Sequence, residues 1–150
     1  MFKEILFPVD FSPTTEEVLP FALGLAEKFG AKLHLLYVAH DLKEMFTVAV
    51  PHPALNTFTE EIKKGAQKKM KEFYDEHYNE MQGVERHVVI GDPADEIIKF
   101  AGQKGLELIV MGTHGRKGLD RVIFGSVAEN VTRHSPVPVL TVNPHRRKQQ

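Results

Sequence analysis

Leu108-Ile109-Val110-Met111-Gly112-Thr113-His114-Gly115, followed further on by Gly125-Ser126, sets the reading of this chain. Four apolar residues in a row suit a strand buried on both faces, as in a parallel sheet, rather than one that alternates between core and water. Glycines just past such a strand let backbone amides approach a ligand closely and permit positive φ. A helix from about Ser126 to His134 would present unpaired amides and a positive dipole end, which suits phosphate. The Ser126 hydroxyl can join the same anion, and Arg116, Lys117 and Arg121 add local positive charge.

Outward from this segment, short apolar runs alternate with longer amphipathic ones. Ile5–Val9, Leu33–Val38, Val84–Ile90, Leu108–Met111 and Val137–Val142 read as five strands. The first helix opens at Ser12-Pro13, with Ser12 able to accept backbone donors as N-cap and Pro13 suited to the first helical position. It stops at Gly30, and the third helix repeats the opening with Asp92-Pro93. The second helix is expected from about Thr57 to Gln82. There Phe58, Ile62, Ala66, Met70, Phe73, His77 and Met81 recur at steps of three or four and form one apolar stripe. Residues 41–56 fit neither period. Met45, Phe46, Val48, Val50 and Pro51 make them an apolar loop that could serve as a lid, a dimer contact or simple core cover.

This β-α-β-α-β-α-β-α-β order predicts a single α/β domain over residues 1–150 with right-handed crossovers. The expected architecture is an open, doubly wound, Rossmann-like parallel sheet of order 3-2-1-4-5 with helices on both faces. Its order reverses between strands one and four, whose carboxyl ends then flank the crevice where ligands bind. Strand one ends in Pro8-Val9-Asp10, so Asp10 and Gly112 are expected to meet there. A carboxylate repels phosphates directly; it suits ribose hydroxyls or a bridging Mg²⁺.

Composition narrows the classes. The chain has 150 residues, a net charge of -1 and no cysteine, which excludes disulfides, thiolate metal sites and cysteine nucleophiles. Near-neutrality gives no global drive toward nucleic acid or an anionic membrane. No apolar run approaches a membrane span, and Met1-Phe2-Lys3-Glu4-Ile5 lacks the pattern of a signal peptide, so a cytoplasmic location is expected. The eight histidines are scattered and form no His-Glu-x-x-His motif. The P-loop Gly-Lys-[Ser/Thr] ending and the G-x-S-x-G nucleophile elbow are both absent. A dedicated enzyme is therefore not expected, although slow hydrolysis of a bound nucleotide stays open.

Three segments carry a resemblance to the universal stress protein family over nearly the whole chain. They are Ile5-Leu6-Phe7-Pro8-Val9-Asp10-Phe11-Ser12, Gly91-Asp92-Pro93, and the stretch from Leu108 through Gly125-Ser126 to Pro136-Val137-Pro138-Val139-Leu140. Gly112, Gly115, Gly125 and Ser126 match the pattern G-x2-G-x9-G-[ST] of the family's ATP-binding members without departure in spacing. The resemblance implies an ATP-binding regulator that takes ATP with Mg²⁺ as cofactors. It implies that Pro8, Val9 and Asp10 line the adenosine pocket, that Val38 contacts adenine, and that Met111 and Gly112 sit near ribose and adenine. Gly115, Gly125, Ser126 and Val127 would hold phosphates, with His114 at the same edge. It also implies a homodimer through the fifth strand, residues 137–142, and an unidentified downstream protein partner. Two other readings stand beside it: a protein-interaction module of the same fold that needs no nucleotide, and a flavin or other adenosine-bearing ligand in the same crevice.

Overall fold

The computed structural model describes residues 1–43, 51–78, 81–113 and 125–144. Along the chain run β1 (Glu4–Val9), α1 (Pro13–Phe29), β2 (Lys32–Ala39), α2 (His52–His77), β3 (Val84–Ile90), α3 (Pro93–Gln103), β4 (Leu108–Gly112), α4 (Ser126–His134) and β5 (Val139–Val142). All five strands are parallel, in the order β3-β2-β1-β4-β5. The expected sheet order and its reversal between β1 and β4 are therefore present.

The apolar strand runs serve two separate cores. Ile5, Phe7 and Val9 pack with Val18, Leu19 and Ala22 of α1 and with Met70 and Phe73 of α2. Leu6 lies in the opposite layer with Leu36, Val38, Ile109 and Met111, beneath Ile97 and Phe100 of α3 and Ala128 and Val131 of α4. Successive side chains point to opposite faces of a strand. A strand buried on both faces must then be apolar at every position, which is why these runs show no alternation.

Helix ends follow local chemistry. Gly30 closes α1 with φ 56° and ψ 42°, a left-handed turn that glycine adopts without a Cβ penalty. Asp92 caps α3 by accepting from Asp95 N at 3.1 Å. Ser12 is the N-cap residue of α1 by position, but its side chain makes no capping hydrogen bond. Its hydroxyl is buried and has no partner among the described residues.

Two boundaries differ from the sequence expectation. Helix α2 begins at His52, with Pro51 as N-cap, rather than at Thr57, and ends at His77 rather than Gln82. Its first turn precedes the apolar stripe that opens at Phe58: Pro53, Ala54 and Asn56 are exposed and carry no apolar period. Thus His52–Asn56, expected as part of the loop 41–56, are helical; Met45, Phe46, Val48 and Val50 lie outside the described residues. Strand β5 begins at Val139 rather than Val137. The Ser135 hydroxyl takes both backbone groups of Val137, and Pro138 has no amide to donate.

Candidate functional site

The pairing of β1 with β4 ends early, where the expected crevice lies, and the cause is identifiable. Glu4 turns its backbone toward β4, because its carbonyl accepts from Glu107 N at 2.9 Å. Alternation along the strand turns Leu6 and Pro8 the same way. Proline has no N–H, so the ladder loses its next donor at Pro8. The pairing between these strands accordingly covers Ile5↔Leu108 and Leu6↔Ile109 and stops there, short of the tips of both strands. On the other side of β1 the pairing with β2 continues to Val9↔Tyr37.

Past the tip of β1 the chain makes a tight turn organised by Asp10. Its Oδ1 accepts from Ser12 N at 3.0 Å and from the Thr15 hydroxyl at 2.7 Å. Thr15 Oγ1 in turn accepts from Asp10 N at 3.2 Å. Phe11, between them, has φ 60°, a conformation that a bulky side chain rarely adopts. Its ring lies 4.6 Å from Tyr37 and 5.6 Å from Phe73, so packing holds the strained backbone in place.

At the tip of β4, Thr113 joins two elements. Its amide donates to Val142 O at 2.9 Å, and its carbonyl accepts from Gly125 N in a short hydrogen bond. This brings Gly125-Ser126 to the end of β4. Gly125 is the N-cap of α4, with φ -64° and ψ 148°, and has no side chain with which to cap. The first amides of a helix have no intrahelical partner, and among the described residues no side chain caps those of α4, in contrast to α3. Ser126 is exposed and Val127 half-buried.

Val38 and Met111 are buried in one layer, with Val127 packed against it. The Val9 side chain is buried in the opposite layer, so only its backbone can face the crevice. Pro8, Asp10 and Gly112 are half-buried at the strand ends. His114 and Gly115 lie outside the described residues, as do Arg116, Lys117 and Arg121. Thr15 and Thr113, which hold the turn and the loop stem, were not among the residues singled out from sequence. Thr113 acts through its own backbone amide and carbonyl, which almost any residue offers, and a hydroxyl such as that of Thr15 carries no periodicity and no motif, so nothing in the sequence marks either of them.

The model of the universal stress protein family matches residues 1–143. The chain belongs to the universal stress protein family. Within that family it is 31% identical to universal stress protein MJ0577 of Methanocaldococcus jannaschii, over an alignment that covers 95% of each chain. The solved structure of MJ0577 matches with a TM-score of 0.77 at 33% identity, covering 95% of this chain and 96% of that one. A universal stress protein solved in complex with cAMP matches with a TM-score of 0.61 at 21% identity, covering 95% and 98%. The Archaeoglobus fulgidus universal stress protein solved in complex with dAMP matches with a TM-score of 0.60 at 22% identity, again covering 95% and 98%. At those identities the last two speak for the fold. Among the described residues, no helix is long and apolar enough to cross a membrane.

Proposed function

We propose that this universal stress protein binds ATP at the β1–β4 crevice and acts as a nucleotide-dependent regulator in a stress response, with at most slow hydrolysis. The observation that carries the reading is Gly125. Its φ of -64° is open to any residue, so the backbone does not require glycine there. A missing side chain at an uncapped helix start instead leaves room for an anion to reach the first amides. The Gly125 amide is already committed to Thr113 O. Phosphate would therefore be met by the amides of Ser126 and Val127 and by the Ser126 hydroxyl, with Gly112 near the ribose; Gly115 and His114 are proposed for the same anion from the glycine spacing alone. Pro8, Val9 and Asp10 would border the adenosine, and Val38 and Met111 the base.

Asp10 Oδ1 is held by the chain's own turn, so Oδ2 is the oxygen proposed for a ribose hydroxyl. Carboxylate and hydroxyl oxygens at Asp10 and Ser126 are hard donors and fit Mg²⁺, which would supply charge neutralisation to the phosphates. Two proteins of this fold are solved with adenine nucleotides; the assignment to ATP and to the crevice rests on the glycine spacing of this chain. A cytoplasmic location and an as yet unidentified protein partner complete the proposal.

The test begins with purified protein, denatured and assayed for released adenine nucleotide. Titration calorimetry of stripped protein with ATP and Mg²⁺ should then show one site, weakened at least tenfold in Gly125→Val, about 1.4 kcal/mol. Unchanged affinity in a folded Gly125→Val protein rejects the loop assignment. Flavin absorbance in the purified protein would transfer the crevice to another adenosine-bearing ligand. The reading of a nucleotide-independent interaction module is favoured by one observation, the 40% exposure of Leu140 on the edge strand β5.

A further inference from the structure

At the opposite end of the sheet from the proposed crevice, two glutamates and two histidines on the strands turn to one face. Glu4 begins β1, His34 lies in β2, and Glu85 and His87 lie in β3. Register places His34 beside both Leu6 and Glu85, and His87 beside Leu36, so all project into the layer of α3 and α4. His34 is buried, 6% exposed. A histidine in a strand otherwise full of aliphatic residues calls for a partner, and it has two. His34 Nε2 lies 2.5 Å from Glu4 Oε2, and His34 Nδ1 lies 3.0 Å from His87 Nε2.

We propose that His34 Nδ1, His87 Nε2 and Glu85 Oε2 form a binding site for a divalent transition-metal ion of the zinc class. The three atoms make a triangle with sides of 3.0, 3.6 and 3.6 Å. A tetrahedral zinc ion with bonds of about 2.0–2.1 Å sets its ligands about 3.3 Å apart, so a point at bonding distance from all three atoms lies just off their plane. Two imidazoles and a carboxylate are a donor set that zinc, cobalt and nickel accept and that magnesium and calcium do not favour.

The surroundings supply what a metal-binding histidine needs. The Glu4 carboxylate accepts the proton on His34 Nε2, which leaves the Nδ1 lone pair facing the site. This is the carboxylate–histidine arrangement that fixes ring orientation and raises ligand basicity. Lys32 Nζ holds the other oxygen of Glu85 at 2.6 Å, so the carboxylate offers Oε2 alone. The ring of His87 rests 4.8 Å from that of Phe100 on α3. Without metal, His87 Nε2–H donates to His34 Nδ1. The ion replaces that hydrogen bond, with His87 keeping its proton on Nδ1 instead, and each ring turns off the nitrogen–nitrogen axis to meet it. The side chains of His87 and Glu85 are 21% and 46% exposed, so solvent reaches the fourth position. Three protein ligands with an open position make an exchangeable site rather than a closed structural one.

The site lies some five residues of strand from the nucleotide crevice, roughly 15 Å at about 3.3 Å per residue, and stands independently of it. The test uses the untagged full chain, stripped with chelator and free of nucleotide. Calorimetry with Zn²⁺ should give one equivalent per chain, and Co²⁺ should give the visible absorption bands of a tetrahedral site. Glu85→Gln and His87→Gln alter partly exposed side chains and should fold, as far-UV circular dichroism will record. Each should weaken Zn²⁺ binding at least tenfold and remove the cobalt bands, and Glu4→Gln should weaken binding by 10–100-fold through His34. Absence of saturable binding in the unaltered chain overturns the proposal. So does binding that persists undiminished in folded Glu85→Gln and His87→Gln proteins, which would assign the ion to other histidines.

Discussion

Thr15 does for the turn after β1 what Ser12 does not. Its hydroxyl closes a ring with Asp10, donating to Oδ1 at 2.7 Å and accepting from the Asp10 amide. Ser12 occupies the N-cap position, yet its buried hydroxyl caps nothing. Thr15→Val should therefore cost about 1–2 kcal/mol in urea unfolding, since a hydrogen bond to a charged group is lost and a part-buried carboxylate is left short of a donor. Ser12→Ala should fall within about 0.5 kcal/mol of the unaltered protein, against the ~1 kcal/mol of a working cap. The reverse ranking would return the cap to Ser12. Tyr78 poses a related question at the end of α2. It is fully buried, and its hydroxyl has no partner among the described residues. Burial raises its pKa above the ordinary 10.0. The folded chain then keeps a proton that the unfolded chain releases near pH 10, so this contribution to stability is intact below about pH 10 and lost as pH climbs beyond it. Tyr78→Phe should match or exceed the parent's stability at pH 7 and show a shallower alkaline decline, measured as urea midpoints from pH 7 to 11. An equally steep decline in the variant would place the alkaline sensitivity elsewhere.

Helix α4 is an element whose limits are legible in the sequence and whose proposed purpose turns on one residue. Its limits, Ser126 to His134, were evident in advance because the glycine before it and the apolar positions within it point to the same register. The strands were legible for a similar reason: burial on both faces leaves unbroken apolar runs. The start of α2 was not, because its first turn precedes the apolar stripe and carries no period, and β5 was read two residues too long because Val137 is as apolar as the strand it precedes. At the tips of β1 and β4, Asp10 and Gly112 could be named from sequence, whereas the role of Pro8 in ending the β1–β4 ladder depends on which neighbour its missing donor faces, a property of register alone. Gly125 permits a test in which stability and binding move in opposite directions. Gly125→Asp installs a capping carboxylate at a helix N-terminus and should raise stability by about 0.5 kcal/mol. The same charge would stand where phosphate is proposed to bind and should weaken ATP at least tenfold in calorimetry. Parallel changes, with both properties falling, would mean that glycine serves the fold rather than a ligand.

For the whole molecule, the open question is what covers the β5 edge. A sheet of order β3-β2-β1-β4-β5 has two edges, and each exposes a row of unpaired backbone groups. Edge strands of monomers are commonly protected by charge, by proline within the strand or by a bulge. β5 reads Val139-Leu140-Thr141-Val142 and carries no charge, and Leu140 is 40% exposed. Leu140 is paired in register with Val110, which is fully buried, so this edge residue continues a core row out to the surface. Pairing of two copies about a twofold axis would join the edges and cover both leucines with one self-complementary surface. We therefore expect light scattering to report twice the 17.0 kDa chain mass. Leu140→Lys should shift the population to monomer at micromolar concentration. The substitution sits at an exposed edge position, so it should leave far-UV circular dichroism unchanged, and ATP affinity should also hold, because the crevice lies at the strand ends rather than along β5. A monomeric parent protein would overturn the dimer that the family resemblance implies. A Leu140→Lys protein that stays dimeric would move the interface off this edge, and a loss of ATP binding that tracks dissociation would instead make the crevice depend on the second copy.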